Sequence, residues 1–131
     1  MSLRIAACLP LIALVSACGI DPGAGSDGDD TVWVISEIDG VPFPARGTLS
    51  FESGGQIAGT APCNEYRAAL SAQAPRFDTG PITVTRASCA QGSLEVQYLY
   101  TLSQMTRIDI SGSTLTLSEP GGRSMVFKAA G

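Results

Sequence analysis

The chain has 131 residues, four cysteines, no histidine and a formal net charge of -4. Without histidine it lacks the usual general base near neutral pH and the common zinc ligand, which excludes Ser-His-Asp, Cys-His and ordinary zinc chemistry. Asp21, Asp27, Asp29 and Asp30 cluster early, and from residue 31 onward eight carboxylates face seven Arg and Lys. That near-neutral balance shows no basic stripe for nucleic acid and no basic cluster for anionic head groups.

Residues 1–17 have the build of an export signal, with one charge at Arg4, an apolar run from Ile5 to Val15, and small residues before a cut. The run is shorter than the roughly 20 apolar residues that a bilayer span needs. Leu14-Val15-Ser16-Ala17-Cys18-Gly19 resembles the bacterial lipobox. The resemblance implies that Cys18 becomes an acylated N-terminus after cleavage at Ala17, and two or more acyl chains give stable anchoring where one is marginal. Gly19 stands where Asp would favour inner-membrane retention in many Gram-negative species. The expected location is therefore the envelope, on the outer membrane facing the periplasm rather than the inner one.

Residues 18–30 are expected to form a lipidated N-terminus and a flexible Gly- and Asp-rich tether, because they hold too little apolar surface to offset the entropy of ordering. A single domain is expected over 31–131. Its apolar residues recur with period two: Trp33 and Ile35, Leu49 and Phe51, Ile57 and Gly59, Tyr66 with Ala68 and Leu70, then Ile82 and Val84. Leu94, Tyr98, Leu102 and Met105 break this rule, with spacings that stack them on one face of a helix over 93–105. Ser93 is the expected N-cap, and Glu95 in the first turn suits the helix dipole. Ile108 and Ile110, Leu115 and Leu117, and Met125 and Phe127 then alternate again across Ser111-Gly112 and Glu119-Pro120-Gly121-Gly122 turns. The predicted fold is α+β, mainly β: a strongly curved antiparallel sheet or partial barrel of seven to eight short strands with one packed helix.

With Cys8 in the leader and Cys18 acylated, Cys63 and Cys89 remain as an even pair in an oxidising compartment, which favours a disulfide over free buried thiols. The link would restrict the unfolded chain by about 3 to 4 kcal/mol in the chain-entropy picture. The ordered set Trp33, Ile38-Asp39-Gly40, Thr48-Leu49-Ser50-Phe51, Gly54-Gly55-Gln56-Ile57-Ala58-Gly59, Cys63-Asn64-Glu65-Tyr66, Thr85-Arg86-Ala87-Ser88-Cys89 and Glu95 resembles the META domain, or HslJ-like, family. The resemblance implies a curved antiparallel sheet with a packed helix, on secreted or lipid-anchored envelope proteins linked to stress or antibiotic tolerance. It implies no enzyme activity.

Three further residues have two readings each. Asn64 is the only asparagine; it either satisfies backbone groups in a tight bend or presents its amide to a ligand. Arg86 either pairs with a carboxylate such as Glu95 or binds an anion. Trp33 is either the largest core piece or a pocket wall. Carboxylates are scattered singly and neither Gly-Gly pair opens a helix, so no enzyme, metal or cofactor is expected. The expected function is a monomeric, lipid-anchored, non-catalytic envelope module that binds an envelope protein or supports stress tolerance. The alternative is a carrier of a small apolar ligand or lipid inside the curved sheet.

Overall fold

The period-two alternation becomes nine strands, joined by one helix, in the computed structural model, which describes residues 30–130. The leader, Cys18 and the tether as far as residue 29 lie outside the described residues. The strands are β1 (Trp33–Ile38), β2 (Val41–Pro42), β3 (Thr48–Glu52), β4 (Gln56–Thr60), β5 (Glu65–Ala69) and β6 (Thr83–Val84). After helix α1 (Glu95–Gln104) come β7 (Arg107–Ser111), β8 (Thr114–Ser118) and β9 (Ser124–Ala129). Neighbours are antiparallel in the order β6-β5-β4-β3-β1-β9-β8-β7, so the last strand returns to pair with the first.

Strand β2 is additional to the expected set and only two residues long. It arises because Asp39 and Gly40 both take left-handed φ values, 54° and 79°, which is the backbone a tight I′ hairpin requires. Its register pairs Ile38 with Val41. The pairing of β1 with β9 shifts between Ile35 and Glu37. The extra residue, Ser36, breaks the alternation and returns Ile38 to the buried face shared by Trp33 and Ile35. In the β7–β8 hairpin the turn falls on Gly112-Ser113, one residue later than expected, since Ser111 pairs with Thr114.

The inner face is filled by Leu49, Ile57, Leu115, Leu117, Met125 and Phe127, all fully buried. Helix α1 closes one end of the curved sheet by inserting Tyr98 and Leu102, with Met105 just after it. The helix begins one step later than the sequence suggested. Leu94 occupies the N-cap position, while the Ser93 hydroxyl accepts the Glu95 N–H at 3.1 Å.

Strand pairing leaves the sheet open between its β6–β5 and β7 edges. The irregular segment 70–79 spans this gap. The Phe77 N–H donates to the Thr106 carbonyl at 2.9 Å, and the Ile108 N–H donates to the Pro75 carbonyl at 2.8 Å. Isolated bridges join Leu70 to Thr79 and Arg76 to Arg107. Phe77, absent from any alternating run, is buried beneath this segment. Among the described residues no helix is long and apolar enough to cross a membrane.

Candidate functional site

The bend between β4 and β5 brings the sequence-predicted residues together. The Ala61 N–H donates to the Asn64 carbonyl at 2.7 Å, which folds Pro62 and Cys63 outward. Cys63 and Cys89 are joined as a disulfide, with Cα atoms 5.7 Å apart and 26 positions between them in sequence. This staples the long 85–94 connection to the bend.

Asn64 is 8% exposed, and its amide spends every bond it can make. Its Oδ1 accepts from the Thr85 hydroxyl at 2.9 Å and the Ala87 N–H at 2.7 Å. Its Nδ2 donates to Glu95 Oε2 at 2.8 Å and, more weakly, to Cys89 Sγ at 3.5 Å. Glu95, also 8% exposed, reaches back from the first turn of α1. Its Oε1 accepts the Cys63 and Asn64 N–H groups at 2.7 and 2.9 Å. Burial pushes the Glu95 carboxyl up, but the hydrogen bonds from the Asn64 side chain, the Asn64 backbone and the Cys63 backbone outweigh it. The net result is a carboxyl held below the ordinary glutamate value, hence ionised at neutral pH.

The same geometry corrects one expectation. Arg86 does not pair with Glu95: the carboxylate is taken up by Asn64 and Cys63, and Arg86 is exposed. Among the described residues the one ion pair joins Arg123 to Asp39 at 2.8 Å. Trp33 sits in the core at the start of β1. Cys63, Cys89 and Glu95 place three metal-ligand residue types within 4.8 Å of one another. The sulfurs are bonded to each other and the carboxylate is occupied by N–H donors, so in this state the trio offers no ligand set.

Beneath this polar bend lies a second cluster that sequence reasoning did not single out. The Tyr66 and Tyr98 hydroxyls lie 3.1 Å apart, and both donate to the Thr48 carbonyl. Burial pushes both phenols well above the ordinary tyrosine value, so both stay neutral donors. Close approach explains two glycines. A Cβ at Gly59 would collide with the Thr48 carbonyl, and one at Gly47 with the Tyr98 ring. The spacing of Tyr66 and Tyr98 on a strand and a helix face showed that each was buried, but not that they meet.

A further concavity lies beside the open edge, between the 70–79 segment and β7. It is a half-open cleft of about 1030 Å³ whose apolar wall is Phe51, Leu70, Ile108 and Ile110, with Gln73 and Arg76 among its other lining residues. Periodicity identified the four apolar residues as inward-facing, but gave no sign that the core buries Ile108, covers Phe51 and Leu70 only in part and leaves Ile110 46% exposed.

The META domain model matches residues 27–131. No curated protein matches the chain significantly. Among solved structures, an NMR structure of a protein from Burkholderia xenovorans is 22% identical with a TM-score of 0.65, covering 92% of this chain and 96% of its own. A crystal structure of a DUF4847 family protein from Bacteroides vulgatus is 12% identical with a TM-score of 0.59, covering 84% and 96%. At these identities the likeness is one of fold. The family match spans most of the sequence and the Cys-Asn, Thr-Arg and Glu95 elements converge on one stapled bend, so this chain belongs to the META domain family.

Proposed function

We propose that this META domain protein is a lipid-anchored, non-catalytic module of the cell envelope, held through Cys18, that binds an envelope protein or supports envelope integrity under stress. The observation that carries the non-catalytic part is the saturation of the Cys63-Asn64-Glu95 bend. Its most distinctive polar groups are spent on each other and on backbone, leaving no free base or nucleophile there. The anchored part rests on the lipobox-like run before Cys18. The expected site is the outer membrane, facing the periplasm.

Metabolic labelling with radioactive palmitate tests the anchor. The wild-type chain is expected to take up label and sediment with membranes, and Cys18→Ser to do neither. Unlabelled wild-type protein would overturn the reading. Crosslinking in intact membranes followed by mass spectrometry tests the partner, and recovery of no envelope protein, together with a deletion strain that tolerates detergent and antibiotics like its parent, would remove the module role. The cleft favours a second reading, a carrier of a small apolar ligand, because its volume is at the upper limit of the roughly 300 to 1,000 Å³ of ordinary ligand pockets.

A further inference from the structure

The Glu95 carboxylate is buried, and no Lys or Arg among the described residues pairs with it, since the one ion pair there is that of Arg123 with Asp39. Buried charges are ordinarily paired with an opposite charge or bound to a metal. Three N–H groups orient this carboxylate without neutralising it. Oε1 takes two of them, from the Cys63 and Asn64 backbone, and Oε2 takes one, from the Asn64 side chain. An ionised carboxylate has about four lone-pair sites, so Oε2 keeps one free.

Two sulfurs stand beside it. A carboxylate oxygen of Glu95 and the Sγ atoms of Cys63 and Cys89 lie within 4.8 Å of one another. The Asn64 Nδ2 that donates to Oε2 also reaches Cys89 Sγ at 3.5 Å. The Ala87 carbonyl oxygen is 3.7 Å from Cys89 Sγ and 4.0 Å from Cys63 Sγ, which puts a further oxygen beside the trio. On tetrahedral Zn²⁺, thiolate sulfurs lie about 2.3 Å and carboxylate oxygens about 2.0 to 2.2 Å from the metal, so neighbouring ligand atoms are about 3.6 to 3.8 Å apart. The cluster already has nearly that size, and only the S–S bond keeps the sulfurs from acting as ligands. Cys89 is exposed and Cys63 half-buried, so the bond is open to a reductant.

We propose that reduction of the Cys63–Cys89 disulfide turns the stapled bend into a Zn²⁺ site, with the two thiolates and the Glu95 carboxylate as ligands and water in the fourth position. The reductant is a dithiol of the Cys-x-x-Cys class. One of its thiolates attacks the exposed Cys89 sulfur and releases Cys63; its second thiol then frees Cys89, and the reductant leaves as its own disulfide, having supplied two electrons and two protons. Zn²⁺ displaces the two thiol protons, so the net charge of the bend is unchanged as a dication enters and two protons leave. The Asn64 side-chain N–H beside Cys89 Sγ supports the metal-bound thiolate from outside the ligand set. The metal links the same parts as the disulfide, the β4–β5 bend and the 85–94 connection, and adds the first turn of α1. The bend is thereby held in either redox state. This goes beyond the envelope-module reading and is independent of both the anchor and the cleft.

The test uses the full chain with Cys8→Ser and Cys18→Ser, so that Cys63 and Cys89 are its only cysteines. The chain is reduced, freed of reductant without air, and titrated with Co²⁺ as an optical stand-in for Zn²⁺. One Co²⁺ per chain is expected, with tetrahedral ligand-field bands and a thiolate-to-metal charge-transfer band, both removed by stoichiometric Zn²⁺. The oxidised chain and the reduced Cys89→Ser variant should show neither band. That variant lacks the staple just as the reduced parent does, so a difference between them belongs to the ligand. At about a hundredfold excess over its Kd, Zn²⁺ should raise the thermal midpoint of the reduced chain by about 10 °C and leave that of the oxidised chain unchanged. If reduction alone unfolds the domain, Zn²⁺ should restore its native circular dichroism. The carboxylate is read with Glu95 in place, by ¹¹³Cd NMR, which separates a mixed sulfur and oxygen donor set from an all-sulfur one. Absence of the bands, the same bands in Cys89→Ser, or a reduced chain that Zn²⁺ neither stabilises nor refolds overturns the inference. So does an all-sulfur donor set, which would place the metal between two chains. None of these results bears on palmitate labelling at Cys18 or on crosslinking to an envelope protein.

Discussion

Replacing Glu95 by Gln tests whether the carboxylate holds the stapled bend together. Glu95 accepts three N–H groups, and a hydrogen bond to a charged partner contributes about 1.5 to 3 kcal/mol. Glutamine can keep two of these at the neutral strength of about 1 kcal/mol each, but its own NH₂ then faces the Asn64 NH₂ and the third bond is lost. The gross loss is about 4 kcal/mol, offset in part because a neutral amide is easier to bury, so a net loss of about 2 to 3 kcal/mol is expected. Urea unfolding at pH 7, read through the fluorescence of Trp33, the single tryptophan, should show a lower midpoint at an unchanged slope. Acidification supplies an independent check. A carboxyl whose folded value is lowered stabilises the protein fully above its unfolded value and loses that contribution as pH falls through the folded value. Wild type should therefore weaken below about pH 4.5, and Glu95→Gln should weaken less over the same range. The residual slope comes from Asp39, whose carboxyl is also lowered, first by its hydrogen bond from Arg123. A loss under about 0.5 kcal/mol at pH 7, or identical acid sensitivity in both proteins, would refute this account of the bend.

Three other outcomes are expected. Replacing Cys63 and Cys89 together by Ser should cost about 3.5 kcal/mol, from the entropy of a loop closed across 26 positions, and the untreated protein should show no free thiol at either position under denaturing, non-reducing conditions. Gly59→Ala should destabilise by about 3 kcal/mol or fail to yield folded protein, because the new methyl meets backbone and not a movable side chain; Gly54→Ala, with open space around it but a φ of 84°, should cost only about 1 kcal/mol. Arg86→Ala should shift the unfolding midpoint by less than about 0.5 kcal/mol, since this side chain is exposed and pairs with no carboxylate among the described residues; a larger loss would restore the ion pair with Glu95.

The strands were legible wherever one face is buried and the other wet, because period-two burial writes itself into the order of residues. Leu115 with Leu117 and Met125 with Phe127 are examples, and Tyr98 with Leu102 did the same for the helix at its own spacing. Strand β2 was missed although its Asp39-Gly40 turn is a strong hairpin signal, since a strand of two exposed residues leaves no alternation to count. Phe77 was missed for a related reason: it is buried by an irregular segment whose backbone is satisfied by Thr106 and not by a ladder. The cysteine pair followed from composition, and the disulfide follows from counting thiols as much as from geometry.

Local chemistry thus determined the strand and helix content, the lipobox-like run, the cysteine pair and the family resemblance, all of which depend on neighbours in sequence. What only the tertiary structure decided is how groups far apart in sequence are matched. The sequence allows a structural role for both Asn64 and Arg86, but which of them Glu95 serves depends on the turn of α1 against the β4–β5 bend. The direct opposition of Arg76 and Arg107 and the uncovered Ile110 belong to the same class. Hydrogen bonds and charge pairs act over a few ångströms of space, and spacing along a chain constrains that distance only within a single element.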